Sequence, residues 1–72
     1  MATAAELKIL RALDQAPDKQ VKTWDLRKAV GLTFRGYGIV ERRMRERHLI
    51  DRMPDDFATV TLTFKGMRAL AP

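Results

Sequence analysis

Apolar positions at the start of the chain fall on a helical period. Leu7, Ile9, Leu10 and Leu13 form one stripe, as an amphipathic helix requires. Ahead of it, Thr3-Ala4-Ala5-Glu6 has the form of a capping box, the threonine oxygen taking a free backbone N–H while the glutamate reaches back to the cap. Pro17 disfavours helical backbone at Ala16, so the helix is expected to stop there. "PDKQ" then reads as a turn and Val21-Lys22 as a short extended piece. Thr23 is placed to cap a second helix, with Asp25 in the first turn, where the helix dipole favours negative charge. Leu26, Ala29 and Val30 would be its buried face and Gly31 its left-handed stop. Only Leu32 separates that glycine from Thr33, a third cap. Two helices joined so tightly must cross steeply, which is a helix-turn-helix.

The third segment, "TFRGYGIVERRMRERHLI" (33–50), carries Gly36 and Gly38 in its first two turns, although each interior glycine costs roughly 1 kcal/mol relative to alanine. At about 100° per residue, Thr33, Tyr37, Val40, Met44 and His48 share one side, the expected core side. The opposite side carries Arg35, Gly38, Ile39, Arg42, Arg45 and Glu46, a face rich in arginine and clear of bulk in its first half. Gly36 points toward the core edge, where a missing side chain would let the third helix pack tightly on the second. Gly38 points outward, toward a ligand. Alternatively the helix begins only after Gly38, with "TFRGYG" as a lead-in loop.

Beyond this segment the period changes. Ile50 and Arg52 alternate, "MPDD" makes a turn, and Thr59-Val60-Thr61-Leu62-Thr63 alternates with β-branched residues, so a β-hairpin is expected. Thr63 can cap a final helical turn that returns Phe64, Met67 and Leu70 to the core. The pattern gives a mainly helical α+β fold of three helices, a two-stranded hairpin and a short C-terminal helical turn, in a single domain over 1–72.

Charge sharpens this picture. Eight basic residues against three acidic ones lie between Lys22 and Arg47, and the rest of the chain balances, so the whole net charge of +5 sits in about one third of it. A localised basic excess points to a polyanionic partner, most often nucleic acid. Other chemistry is excluded by composition. With no serine, no cysteine and one histidine, the chain cannot build a Ser-His-Asp or Cys-His arrangement or a zinc site of nitrogen and sulfur ligands. His48 is expected to pack or to cap carbonyls, and Trp24 to lie over the core, with base stacking as its lesser reading. No enzyme activity, cofactor, metal or small-molecule ligand is indicated. The N-terminus is too polar for a secretory signal and no apolar run suits a membrane span, so a cytoplasmic, nucleoid-associated protein is expected.

Three helices, a glycine turn between the second and third, and the run "LIDR…TVTLTFKG" resemble the winged helix-turn-helix family, in particular the small bacterial transcription regulators. In that family a leucine-isoleucine pair ends the recognition helix, an arginine begins the wing and "LT-x-x-G" closes it. His48 departs from the pattern, standing where the family usually has glycine, and the long flanking helices with which many of these regulators dimerise are missing. The resemblance implies duplex DNA as the partner, with the third helix (about 33–48) in the major groove. Arg35 and Arg42 would then meet guanine edges or phosphates, Ile39 thymine methyls, and Gly38 would allow close approach. Arg45 would lie further down that face. Lys22, Thr23 and Lys28 would meet the phosphate backbone at the second helix, and Arg52, at the base of the wing, a minor groove. Arg43 and Arg47, nearer the core boundary, would pair with acids such as Glu41 or Asp51. Asp55 and Asp56 at the wing tip oppose this reading, since they would repel phosphate. Hence an alternative stays open, a winged-helix protein-interaction module whose basic helix binds an acidic protein, with Phe57 either its exposed anchor or ordinary core. A homodimer or partner protein would extend the small footprint of a single reading helix.

Overall fold

A computed structural model describes residues 2–71. The chain runs α1 (Ala4–Gln15), a 3-10 turn (Pro17–Lys19), β1 (Gln20–Lys22), α2 (Thr23–Val30), α3 (Phe34–Glu46), β2 (Ile50–Met53), β3 (Asp56–Leu62) and α4 (Phe64–Leu70). The strands form one antiparallel sheet in the order β1-β3-β2. The hairpin therefore gains a third strand, because the extended piece after the 3-10 turn pairs Val21 with Val60 across the long strand.

Local chemistry sets most boundaries. Thr3 and Glu6 complete the capping box of α1, Glu6 N donating to Thr3 Oγ1 at 3.2 Å and Thr3 N to Glu6 Oε1 at 2.8 Å. Thr33 caps α3 by accepting from Gly36 N, and Thr63 caps α4 by accepting from Gly66 N, both at 3.0 Å. Gly31 ends α2 in the left-handed region at φ 71°. Thr23 does not cap α2: it is the first helical residue, and Lys22 holds the capping position without a side-chain bond. Pairing of Lys22 with Thr59 in the sheet keeps Lys22 extended, and lysine has no acceptor to offer the helix.

Both glycines of α3 lie inside the helix, which excludes a late start after Gly38. Gly36 is not packed against α2. A Cβ there would come within 3.0 Å of Thr33 Oγ1, so the missing side chain clears the helix's own cap. At Gly38 a Cβ would meet nothing within 4 Å. Gly66 is the glycine of real close approach: a Cβ there would overlap the Leu49 carbonyl oxygen and lie 2.7 Å from Leu62 Cδ1.

The core gathers Ile9, Leu10 and Leu13 of α1, Leu26 and Val30 of α2, Tyr37 and Met44 of α3, and Leu49, Ile50, Val60 and Leu62 of the hairpin region. Full burial of each large aliphatic chain contributes roughly 1.5–3 kcal/mol. Several expected core residues face outward instead. Ala29 is exposed because Leu26 and Val30, one turn apart, define the inward line of α2. In α4 the inward line runs through Gly66 and Leu70, which turns Phe64 and Met67 to solvent. Thr33 and His48 are end positions of α3, not core, and both are exposed. His48 takes the left-handed conformation at φ 62°, while Leu49 N reaches back to Met44 O at 3.0 Å. That is the glycine-type helix stop, here occupied by histidine.

The wing is irregular. Arg52 pairs with Val60, but Met53 pairs with Asp56, so Phe57, Ala58 and Thr59 bulge out of the β2–β3 ladder. The Asp56 carboxylate braces the bulge, accepting from Ala58 N at 3.2 Å and from Thr59 Oγ1 at 2.7 Å.

Candidate nucleic-acid interface

The outer face of α3 is assembled as the helical period dictates. Arg35, Gly38, Ile39 and Arg42 are all exposed, and Arg35, Ile39 and Arg42 form one stripe along about two turns. Among the described residues, Arg35 and Arg42 make no hydrogen bond or ion pair, so both guanidinium groups have their full donor set available. Arg43 is also exposed and unpaired among those residues.

The other candidate cations are engaged. Glu41 is buried on the inner side of α3 and collects three groups. Tyr37 donates its hydroxyl to Oε1 at 2.8 Å, Arg52 donates Nε and Nη2 to Oε2 at 3.1 and 2.7 Å, and Arg45 Nε lies 3.5 Å from Oε2. Arg52 also donates Nη1 to Phe57 O at 2.9 Å, and its guanidinium carbon sits 4.7 Å from the Phe57 ring centre. Arg52 is therefore a brace between α3 and the wing, not a free arm. Burial and the Glu41 carboxylate push the Tyr37 hydroxyl pKa far above its ordinary value.

Arg47 pairs with Glu6 at 2.9 Å, so the expected pairing of Arg43 and Arg47 with Glu41 or Asp51 is not what forms. The capping bond from the Thr3 backbone, with the Arg47 ion pair, holds the Glu6 carboxyl below its ordinary value against the opposing effect of burial.

Lys22 Nζ is bound to Asp56 Oδ2. That bond, followed by the one from Thr59, holds the Asp56 carboxyl below the usual carboxylate range. One of the two wing acids is thus turned back onto a lysine, and Asp55 is left exposed and unpaired among the described residues. Thr23 lies half-buried at the start of α2. Lys28 Nζ lies 5.1 Å and Arg27 Cζ 4.9 Å from the centre of the Trp24 ring. Trp24 does not cover the core: it is 58% exposed, and Phe57 is 68% exposed.

The sequence pattern missed Glu41, Trp24 and Phe34 as surface-shaping residues. For Glu41 a signal existed, since it follows Tyr37 by four positions and precedes Met44 by three on the buried line of α3. For the exposed rings there was none. Among the described residues no group of His, Asp or Glu side chains could hold a metal ion, and no helix is long and apolar enough to cross a membrane.

No protein-family model and no curated protein matches the sequence. Solved structures do. The PcaV transcriptional regulator from Streptomyces coelicolor superposes with a TM-score of 0.76 at 28% identity, over 92% of this chain and 50% of the regulator. The same regulator in complex with its natural ligand gives a TM-score of 0.77 at 28% identity, over 93% and 49%. The chain thus spans about half the length of the regulator it matches. With the tight α2–α3 turn, the three-stranded sheet and the β2–β3 wing, the chain is a winged helix-turn-helix domain resembling those of bacterial transcription regulators.

Proposed function

We propose that this domain binds duplex DNA with α3 in the major groove, as part of a transcription regulator or an accessory or architectural factor. The observation that carries the reading is the unpaired Arg35–Ile39–Arg42 stripe beside the bare surface at Gly38. Arg35 and Arg42 can present bidentate donors to guanine edges or phosphates, and Ile39 an apolar contact to thymine methyls. Gly38 lets the helix backbone come close. Lys22 and Thr23 at the start of α2 would meet the phosphate backbone, and Lys28, in its last turn, would add a phosphate contact. Arg45 and Arg52 would contact DNA from positions fixed by their pairing with Glu41.

A second surface supports a homodimer or a protein partner. Phe64 on α4 is 73% exposed and Met67 37%, and the matched regulator is about twice as long as this chain. Engagement there would bring a second reading helix to DNA and extend a footprint too small for tight binding alone.

The test is selection from a randomised duplex pool followed by affinity measurement across salt concentrations. Affinity should fall steeply with salt as phosphate contacts release counterions, and Arg35→Ala and Arg42→Ala should each cost roughly 1–3 kcal/mol on the selected site. A pool without a motif, and both variants binding as the parent does, would move the basic face to an acidic protein partner.

A further inference from the structure

Between the first turns of α2 and α3 and the base of the wing lies an open cleft of about 140 Å³, lined by Trp24, Arg27, Phe34, Tyr37, Gly38 and Arg52. A dry cavity of roughly 150 Å³ holds one benzene-sized ring, so this cleft has room for one flat ring system. Its lips are two exposed aromatic side chains, Trp24 at 58% and Phe34 at 79%. Its continuation along the wing is the Arg52 guanidinium stacked on Phe57. Aromatic and guanidinium groups thus gather at this cleft and its edge: Trp24 with Arg27, Phe34, and Arg52 with Phe57.

The polar inventory of the cleft narrows its ligand. The Tyr37 hydroxyl is committed to Glu41, and the Arg52 donors to Glu41 and Phe57 O. Arg27 is different. Its Nη1 reaches only Leu32 O at 3.4 Å, and its Nη2 makes no hydrogen bond among the described residues. An acceptor carried by a ligand in the cleft can take that open guanidinium donor. What the cleft offers is two exposed aromatic side chains and one hydrogen-bond donor. Lys28 stands beside Trp24, and Arg35 adjoins Phe34 in the chain.

We propose that this cleft binds an unpaired nucleobase, stacked against Trp24 and Phe34 with an edge acceptor on Arg27. A base is flat and apolar on both faces, carries nitrogen and oxygen acceptors on its rim, and is joined to phosphates that Lys28 and Arg35 complement. Stacking of this kind tolerates any base and is a main source of affinity for unpaired strands. Within a regular duplex those faces are covered by neighbouring bases, so the base must come from a bulge, a frayed end or a single-stranded stretch. The proposal rests on the DNA-binding reading above and adds a preference that fully paired DNA does not reveal. An aliphatic side chain of a partner protein would leave the Arg27 donor unmet, and nothing in it would use the positive surroundings.

Trp24 is the single tryptophan, so its emission reports on the cleft directly. The intact chain is titrated with a fully paired duplex and with the same duplex carrying one unpaired thymine. The bulged duplex should bind on the order of ten- to a hundredfold more tightly and quench Trp24, while the paired duplex leaves the emission nearly unchanged. Phe34→Ala, at an exposed position that does not threaten folding, should abolish the difference between the two duplexes without altering affinity for the paired one. Equal affinities with unchanged emission would overturn the base site while leaving duplex binding intact. Equal quenching by both duplexes, or an equal loss of both affinities in Phe34→Ala, would also overturn it, by making the rings ordinary duplex contacts. Failure to bind either duplex would overturn the DNA-binding reading and this site with it.

Discussion

Arg52, on the first wing strand, donates from Nη2 to Oε2 of Glu41, on α3, at 2.7 Å, and a second bond from Nε to the same oxygen fixes the plane of the guanidinium. The carboxylate side chain is only 3% exposed and that of the arginine 23%. One buried acid therefore sets how the wing stands relative to the helix that carries the unpaired arginines. Its other oxygen takes the Tyr37 hydroxyl, so both oxygens are used.

Removing this acid should be costly. Glu41→Ala would leave a partly buried guanidinium and a buried phenol without their acceptor, and breaking a buried pair by deleting one partner costs about 3–5 kcal/mol. That approaches the whole stability of a small domain, roughly 5–15 kcal/mol, so urea denaturation should show a largely unfolded protein. Glu41→Gln keeps the volume and one acceptor, and should fold with a smaller loss. Equal stability of Glu41→Ala and the parent would show that the wing is held by other contacts.

Tyr37 extends the same network to alkaline pH. Its folded pKa lies far above the ordinary 10.0, chiefly because burial disfavours the phenolate and secondarily because of Glu41. A raised folded value means a contribution fully present below the unfolded pKa and lost as pH rises above it. Tyr37 is the single tyrosine, so tyrosinate absorbance follows it alone. Above about pH 10, that absorbance should appear only together with loss of helical circular dichroism. Ionisation inside a folded domain would contradict the burial argument.

What could be read from the sequence was local. The caps at Thr3, Thr33 and Thr63 and the stop at Gly31 depend on a few adjacent residues, and each forms as expected. What could not be read depends on distant partners. Val21 becomes a strand residue only because Val60 lies beside it, and Lys22 neutralises Asp56 only because the wing folds back onto β1. Trp24, Phe34 and Phe64 were beyond pattern reasoning for another reason. So small a domain cannot bury every ring, and an apolar side chain does not itself declare whether it lies inside. The outward stripe of α3 was legible from its period. That Arg45 and Arg52 would be tied to Glu41, and Arg35 and Arg42 left open, was not.

The glycines of α3 and α4 should separate stability from DNA affinity. At Gly38 a Cβ meets nothing, so Gly38→Ala should stabilise the domain by roughly 0.5–1 kcal/mol through helix propensity. It should also weaken binding to a selected duplex, because the added methyl occupies the surface proposed to approach DNA. Gly66→Ala should do the reverse to stability. Its Cβ overlaps the Leu49 carbonyl, so α4 must shift at a cost of about 1–3 kcal/mol. Thermal melts and anisotropy titrations on the two variants check both. A Gly38→Ala protein that binds as tightly as the parent would remove close backbone approach from the mechanism.

The helix stop at His48 gives a substitution that improves the fold. A non-glycine residue in the left-handed region is disfavoured by roughly 1–2 kcal/mol, and His48 sits there at φ 62°. Its side chain is exposed and makes no hydrogen bond among the described residues, so His48→Gly loses little. The variant should gain about 1 kcal/mol in urea denaturation. A loss would mean that the imidazole supports the helix end by packing.

Acid should loosen the start of α1 first. The folded pKa of Glu6 is held below its ordinary value of 4.5, first by the bond from Thr3 N and further by Arg47, against burial. A depressed folded value means that the contribution is present above the unfolded pKa and is lost as pH falls through the folded one. Glu6 also ties the beginning of α1 to the end of α3 through Arg47 Nη1 at 2.9 Å, so its protonation weakens a cap and a tertiary link together. At pH 7, Glu6→Gln should be less stable than the parent by about 1 kcal/mol, the typical worth of such a cap. That gap should close as pH is lowered below the unfolded value, because the parent's carboxylate is then protonated too. Denaturation curves at neutral and acid pH provide the comparison. A gap that stays constant across that window would mean that the stabilisation comes from the shape of the side chain and not from its charge.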